Sequence, residues 1–574
     1  LVPVLSTWIM KPKKEEEEKK GFFGKLHDGY TKYLDATLRF RWPLAIGYLG
    51  LSILFLWLVL PRMGTEIFPE VNAPLLQIRL RAPTGTRIEQ TEPLVLKALD
   101  VIRQTIGSNN VTITSDYVGI QPSSYPVDLI YLFTAGPQEA VVRVALQEKM
   151  KGDEALKERL RGALHQSLPQ LEVSFEAGDI ISQVMSFGSP TPVNVSVQGP
   201  VLGDDYAFAQ KIYFQLKGLT FLRDLQFAQA MDYPSVHAEI NRDRAGQFGL
   251  TMSNIMQSYE AATASSRFTS PNFWRDPKAG NAFQIQVEYP QHLMQSLQDV
   301  RSIPVMMPGQ TQPFLGDIAT ITTPKVPGEL DRYNGQFVLN LTANLHNLPL
   351  GKALAPLQQA IQKAGNPPRG VSFHMRGEAP GLEETFGGLR VGLLLAVVII
   401  FLLLSANFQS FRLSAAVIFT IPAVLCGVLL MLLITGTTLN VQSFIGAIMA
   451  IGIAVANSIL LLSFAEHKRL EGEEGHPSTE AAQYGATSRL RAILMTASAM
   501  IFGMVPMALG LTEGGSQTAP LGRAVIGGLL LSTFATLTFL PAIYSILQQK
   551  ASIHSPSLNP DDPSSRYYEK PQQS

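Results

Sequence analysis

The sequence predicts a membrane protein: an α-helical transmembrane bundle that carries a large external α+β part. Three observations predict it. Hydrophobic residues make up 46% of the 574 residues and charged ones only 16%, a mixture suited to lipid-embedded helices with a sizeable folded block outside. Six stretches are long and apolar enough to cross a bilayer as helices, which takes about 20 residues each. Between the first and second of these, strand and helix patterns alternate from Pro61 to Thr385. Lys+Arg and Asp+Glu both number 46, so there is no basic surplus for nucleic acid. The single cysteine, Cys426, lies in an apolar run, which leaves neither a disulfide framework nor a Cys-rich metal site.

The elements follow in order. Residues 1–10, LVPVLSTWIM, are apolar and precede the charged run KPKKEEEEKK. A signal peptide has the opposite order. The segment therefore reads as the end of a preceding membrane helix, and the chain as the C-terminal portion of a longer polypeptide. Residues 11–41 read as a cytoplasmic linker and an amphipathic surface helix, with Phe22, Phe23, Leu26, Tyr30, Tyr33, Leu34 and Leu38 at helical spacing. The first span is 42–60. The other five lie in 386–548, at Gly388–Leu404, Leu413–Leu433, Val441–Phe464, Ala492–Leu511 and Leu521–Leu547. Lys and Arg concentrate before Trp42 and beside alternate loops, at Arg412, Lys468, Arg469, Arg489 and Arg491, whereas Thr435–Asn440 and Thr512–Pro520 have none. The positive-inside rule then puts both termini in the cytoplasm and Pro61–Thr385 outside. Residues 549–574, rich in Pro and Ser, read as a disordered cytoplasmic tail.

In the outer block, Leu76–Ala82 alternates apolar and polar residues as a half-buried strand does. Thr86–Ile106 has helical spacing. Val127–Thr134 is expected as a strand, Glu139–Leu168 as mostly helix, Leu171–Ala177 as a strand. The pattern resumes with strand Val193–Gln198, helix Asp204–Leu216 and strand Leu222–Phe227. It closes with strand Phe337–Ala343, helix Lys352–Lys363 and strand Val371–Arg376. This order fits two small ferredoxin-like sandwiches of the split βαβ type, in 61–231 and 325–385, interrupted by an insertion at 232–324 that is rich in short strands and turns.

Val441–Ala465 has no Asp, Glu, Lys or Arg, and it carries Gly446, Ala447, Ala450, Gly452, Ala454 and Ala456. Small side chains let helices approach closely in lipid. Asn457 and Ser458 follow, and an amide in hydrocarbon needs a partner. Two readings stay open: interhelical hydrogen-bond glue, or part of a coupling-ion path.

Several motifs carry a resemblance. They are APTGTRIEQT (Ala82–Thr91), EINRDRAGQFGLTMSNI (Glu239–Ile255), LGDIATI (Leu315–Ile321), ELDRYNGQ (Glu329–Gln336), FQSFRLSAAVIFTIPAVLCGVLL (Phe408–Leu430) and LRAILMTASAMIFGMVPMALG (Leu490–Gly510). In this order, with one span, an external block and five spans, the chain resembles the second half of a resistance–nodulation–division (RND) efflux permease. The resemblance implies porter subdomains, a docking insertion at 232–324 and an inner-membrane location with a periplasmic block. It also implies a homotrimer, a proton-driven cycle, a periplasmic adaptor protein and an outer-membrane channel. The N-terminal half, with the family's paired proton-binding aspartates, would be a further partner beside the lipid bilayer.

The resemblance marks Ala456, Asn457, Ser458, Thr496 and Arg489 as the proton-relay region. Many drug exporters have Lys where Ala456 stands, and alanine offers no charge to a neighbouring carboxylate. For substrate, the stretch Val111–Pro126 corresponds, by the resemblance, to the part of the porter that multidrug members line with several Phe around a Gly-rich loop. Here it offers Tyr117 and Tyr125, with Tyr131 and Phe133 following. Ordinary core packing is the alternative role for these aromatics. The expected cargo is hydrophobic or amphiphilic. A heavy-metal exporter of the Cu/Ag type is the first alternative, with Met185, Met231, Met252, Met256, Met306, Met307 and Met375 as soft ligands and His237 and His374 as lone histidines. A non-transporting half-permease or assembly subunit is the second. No nucleophile elbow, phosphate loop or metal-ligand motif appears, so the expectation is a transporter without cofactor rather than an enzyme.

Overall fold

A computed structural model describes residues 22–69, 73–120, 133–147, 150, 152–305, 312–471, 475–511, 515–551 and 568. The chain enters through α1 (Phe22–Arg39), an amphipathic helix that buries Leu34 and Leu38. The Tyr30 hydroxyl donates to the Leu537 carbonyl at 2.7 Å, which ties α1 to the last helix. The span α2 (Arg41–Val59) leads outward.

The first outer subdomain runs β1 (Leu75–Arg81), α3 (Ile88–Ile106), β2 (Val111–Val118), β3 (Glu139–Leu146), α4 (Glu154–Ser167), β4 (Glu172–Glu176). Its antiparallel sheet has the order β2-β3-β1-β4, the split βαβ arrangement. Period-2 alternation sends Leu76, Ile78 and Leu80 into a core closed by Leu99, Ile102, Leu156, Leu160 and Leu164 of the two helices. Gln77, Arg79 and Arg81 take the other face.

Two expectations fail here. Glu139–Leu168 is not mostly helix, because it opens with β3. Val141, Val142 and Val144 are fully buried in a strand paired on both sides, and such a strand reads as a continuous apolar run. The stretch from Val111 begins as β2, whose Thr and Val residues suit a pleated edge. Of the expected strand Val127–Thr134, residues 127–132 lie outside the described residues, and Phe133 and Thr134 are not in a strand.

The second subdomain begins with β5 (Val193–Gly199), α5 (Leu202–Lys217) and β6 (Leu222–Phe227). An insertion follows, with the two-stranded pair β7 (His237–Ile240) and β10 (Ala319–Thr322) at its base and the hairpin β8 (Asn272–Arg275) and β9 (Ala282–Ile285) farther out. The chain returns through β11 (Asp331–Tyr333), β12 (Gln336–Leu345), α6 (Leu350–Lys363) and β13 (Ser372–Arg376). Strand β12 pairs with β5 along one edge and with β11 and β6 along the other, and β13 pairs with β5. The order β6-β12-β5-β13 repeats the first subdomain.

The remaining spans are α7 (Glu378–Phe408), the broken α8 (Phe411–Ile418) and α9 (Ile421–Ile434), α10 (Val441–Arg469), α11 (Ser478–Leu509) and α12 (Gly515–Leu547). With α2 they make, among the described residues, six helical segments long and apolar enough to cross a membrane. The break before Pro422 has an identifiable filler. The Tyr48 hydroxyl of α2 donates to the Phe419 carbonyl at 2.7 Å and accepts from the Ala423 N–H at 3.1 Å. It sits inside what would be an i→i−4 backbone bond, the kind of insertion that bends a helix. The segment after α2 is stitched to the start of α10. Leu439 N–H donates to Gly64 O at 2.8 Å, and Glu66 N–H donates to Leu439 O at 3.1 Å.

Candidate functional site

Two places gather functional side chains. The first lies in the bundle. Asn440 caps α10, accepting from Ser443 N–H, and the uninterrupted helix then carries Asn457 and Ser458 into the apolar interior. Asn457 is 7% exposed and Ser458 is fully buried. The Ser458 hydroxyl donates to the Ala454 carbonyl at 2.7 Å, so it is spent within its own helix. On α11 the Thr496 oxygen lies 3.3 Å from Asn457 Oδ1 and 3.1 Å from Ile493 O, and its single proton is shared between them. Ala456 and Thr496 lie on an exposed face of these helices. Asn457 and Thr496 thus meet, while Arg489 does not join them. Its guanidinium lies 3.7 Å above the Phe464 ring, about two helical turns away, with Nε buried and unbonded among the described residues.

At the far end of α10, Glu466 and Arg469 form a paired cluster that the sequence did not reveal. Arg469 donates to both Glu466 oxygens, at 2.6 and 3.0 Å, and the buried Tyr544 hydroxyl of α12 adds a bond at 2.8 Å. An acid and a base three apart at a helix end look like a solvated surface pair. The signal in Tyr544 depends on a helix far along the chain.

The second place is a cleft of about 350 Å³ between the two outer subdomains. The polar face of the first sheet forms one wall. Arg79 donates to Glu176 at 2.6 Å, and Arg81 donates to Glu139 at 2.7 Å. Arg81 also reaches across to the carbonyls of Phe227 and Ala228, at 2.8 and 2.7 Å. Glu329, Asp331 and Thr342 face it from the second subdomain. Burial, together with the charge of Asp331, a hydrogen bond from it and the charge of Glu139, pushes the Glu329 carboxyl up to about 7 against the opposing pull of Arg81. The alternation that places Arg79 and Arg81 on one face was present in LQIRLRA, as was the i, i+2 spacing of Glu329 and Asp331.

Phe133 lines this cleft, 42% exposed, with its carbonyl accepting from Arg79 at 2.6 Å. Tyr117 is half-buried on β2, opposite Val141, and is not part of the lining. Tyr125 and Tyr131 lie outside the described residues, as do Met306 and Met307. The other methionines are not brought together. Met185 lines a separate cavity, Met231 and Met375 pack on the core, and Met252 and Met256 are exposed, as are His237 and His374.

Among the described residues, one group offers three metal-ligating atoms within 4.8 Å of one another: Glu154 and Glu158 of α4 with His346. Arg161 already contacts both acids, at 2.8 and 2.5 Å, and clasps Asp224 on β6 at 3.0 Å. The cluster is therefore an ion-pair latch between the subdomains that a metal would have to disrupt.

Residues 1–548 match the model of the AcrB/AcrD/AcrF family. The chain belongs to that family of RND permeases. It is 26% identical over 539 residues to the cobalt-zinc-cadmium resistance protein CzcA of Cupriavidus metallidurans, covering 91% of this chain and 48% of that protein. It is also 26% identical over 564 residues to the multidrug/solvent efflux pump membrane transporter MepB of Pseudomonas putida, covering 94% and 51%. The swarming motility protein SwrC of Bacillus subtilis is 26% identical over 565 residues, covering 95% and 50%. The chain thus spans about half the length of the curated relatives it matches. In fold it is similar to a crystallised heavy metal efflux pump, with a TM-score of 0.79 and 20% identity over 92% of this chain and 53% of that one. RND permeases are transporters, and relatives named for metals and for solvents stand side by side, so kinship alone does not choose a cargo.

Proposed function

We propose that this chain is the C-terminal half of a proton-driven RND permease in a bacterial inner membrane, with both termini cytoplasmic and 61–385 periplasmic. Its cargo is hydrophobic or amphiphilic organic compounds, passed through a periplasmic adaptor to an outer-membrane channel by a homotrimer. The observation that carries this reading is the inter-subdomain cleft. Its volume is that of a site for a small organic molecule. Its acids do not converge as metal ligands must, and the described methionines do not line it. The proton step rests on Thr496, at the exposed face of α11, and on the buried Asn457 it touches, a polar pair open on the Thr496 side to a carboxylate pair from the N-terminal half.

The full-length protein, expressed with its adaptor in a pump-deficient host, should lower dye accumulation. Unchanged dye accumulation together with resistance to metal ions alone would replace this reading. Metal export is the second reading, favoured by the Glu154–Glu158–His346 group and by the names of the metal relatives. Under it, carboxylate and imidazole ligands point to zinc-like ions rather than to Cu(I) or Ag(I).

A further inference from the structure

We propose that Glu329 and Asp331 form a subsite for the ammonium group of an organic cation in the inter-subdomain cleft. The inference rests on the reading of that cleft as the cargo site.

Charge carries it first. Four carboxylates line the cleft, Glu139, Glu176, Glu329 and Asp331, against two guanidiniums, Arg79 and Arg81. Both guanidiniums are committed. Arg79 is held by Glu176, Glu139 and the Phe133 carbonyl, and Arg81 by Glu139 and two carbonyls of the second subdomain. Among the described residues, neither Glu329 nor Asp331 has a cation within ion-pair distance. Asp331 takes one bond from the Gln229 amide, at 2.5 Å, and the two carboxyls hydrogen-bond each other. Two carboxyls that meet without an ion-pair partner in a half-enclosed site hold either a shared proton or a cation.

A second observation points to a ligand. Ser174 lines the same cleft, is 1% exposed, and its hydroxyl has no partner among the described residues. It stands on β4 directly opposite Arg79. A buried hydroxyl left unsatisfied is costly, and a ligand group that reached it would recover that cost.

The geometry chooses an organic cation over a metal ion. A metal needs several ligand atoms about 2.0–2.2 Å from one point, and the described residues bring three such atoms together at Glu154, Glu158 and His346, not in the cleft. The cleft is instead large enough for an organic ion, and Phe133 offers an exposed aromatic face to a cation. Because the Glu329 carboxyl sits at about 7, protons compete. Below that value it is neutral; above it the pair gains charge. The groups that face it are Asp331 on its own segment and Glu139 and Arg81 across the cleft, with Arg79 and Glu176 beyond them.

The test uses full-length permease in detergent micelles, with ethidium as the cation and Nile red as a neutral dye, read by fluorescence anisotropy at pH 6 and pH 8. Wild type should bind ethidium about fivefold more tightly at pH 8. Glu329→Gln with Asp331→Asn should weaken ethidium binding about tenfold at pH 8 and flatten the pH dependence, with Nile red unchanged. Glu329→Gln alone should give an intermediate loss. Unchanged ethidium binding overturns the subsite, as does equal loss of both dyes. So does displacement of ethidium by equimolar zinc chloride that vanishes in the double variant, which would make the site a metal site. If cells export both dyes while ethidium binding ignores the double variant, the subsite fails and the efflux reading stands. If wild-type cells export neither dye, the efflux reading itself fails.

Discussion

The two sides of the helix bundle use the same residue types in opposite ways. On the inner side, α9, α10 and α12 meet through glycines. A Cβ on Gly427 would strike the carbonyl of Gly527, one on Gly446 the carbonyl of Leu521, and one on Gly528 the side chain of Ala450. On the other side, a Cβ on Gly452 of α10 or Gly503 of α11 would meet nothing within 4 Å. Burial follows suit: 67% of the most apolar stretch of α12 is buried, against 6% for α7. In lipid, helices associate by close packing rather than by a hydrophobic drive, so small residues are interface residues. The comparison teaches that one set is in use within this chain. The other set, with Ala456 and Thr496 beside it, suits a second helical body, which we assign to the N-terminal half.

One substitution made on both sides gives the largest contrast. Gly527→Leu should overpack the inner side and cost about 3 kcal/mol, enough to remove monodisperse protein from detergent extracts. Gly452→Leu should change the stability of this chain by less than about 0.5 kcal/mol, yet abolish export in the full-length permease. A Gly452→Leu chain as unstable as Gly527→Leu would break the comparison, and normal export by the full-length variant would count against the packing partner.

The next effect also belongs to the inner side. Glu466→Ala takes from the Arg469 guanidinium, 7% exposed, the carboxylate that holds it through two hydrogen bonds. Removing one partner of a buried pair costs about 3–5 kcal/mol. A melt in detergent should show the loss, and Arg469→Gln added to Glu466→Gln should recover part of it. A surface pair would give less than about 1 kcal/mol.

What the sequence made legible follows from where the physics is local. Apolar length fixes a span, and period-2 alternation fixes β1, so the bundle and both sheet orders were within reach. Strand β3 was misread because Val141, Val142 and Val144, buried in a central strand, have no alternation to show. The Glu466–Arg469–Tyr544 cluster and the cleft pairing of Arg81 with Phe227 and Ala228 join residues far apart in sequence, and no local pattern records such meetings. Asn457 stood out because polar residues are rare in such helices, and Thr496 only through the family resemblance.

A smaller effect tests the break between α8 and α9. Tyr48→Phe keeps the ring stacked on Phe539, 4.4 Å away, but removes the hydroxyl that bridges Phe419 O and Ala423 N–H. The expected cost is about 1 kcal/mol, measured by thermal melt, because two backbone groups lose a partner. No loss would mean that the helix closes its own backbone bond, and Tyr48 would then owe its burial to packing alone.

The smallest expected effect on stability decides the most about function. Asn457→Leu with Thr496→Val removes one interhelical hydrogen bond of 3.3 Å. In a membrane such bonds are worth about 0.6 kcal/mol on average, since a polar group on an unpacked helix also finds partners. If the pair only glues α10 to α11, the double variant should fold and export almost normally, since the buried contacts around Ile493 and Ala497 remain. If the pair serves a proton-binding carboxylate of the N-terminal half, folding should still be nearly unchanged, but proton-driven export in vesicles should fall by tenfold or more. Arg489 offers the control. It stacks on Phe464 away from the pair, so Arg489→Gln should disturb the α10–α11 contact without mimicking the double variant's selective loss of export. Unchanged export by the double variant at every pH would end the relay reading and leave the exposed face as a packing surface alone.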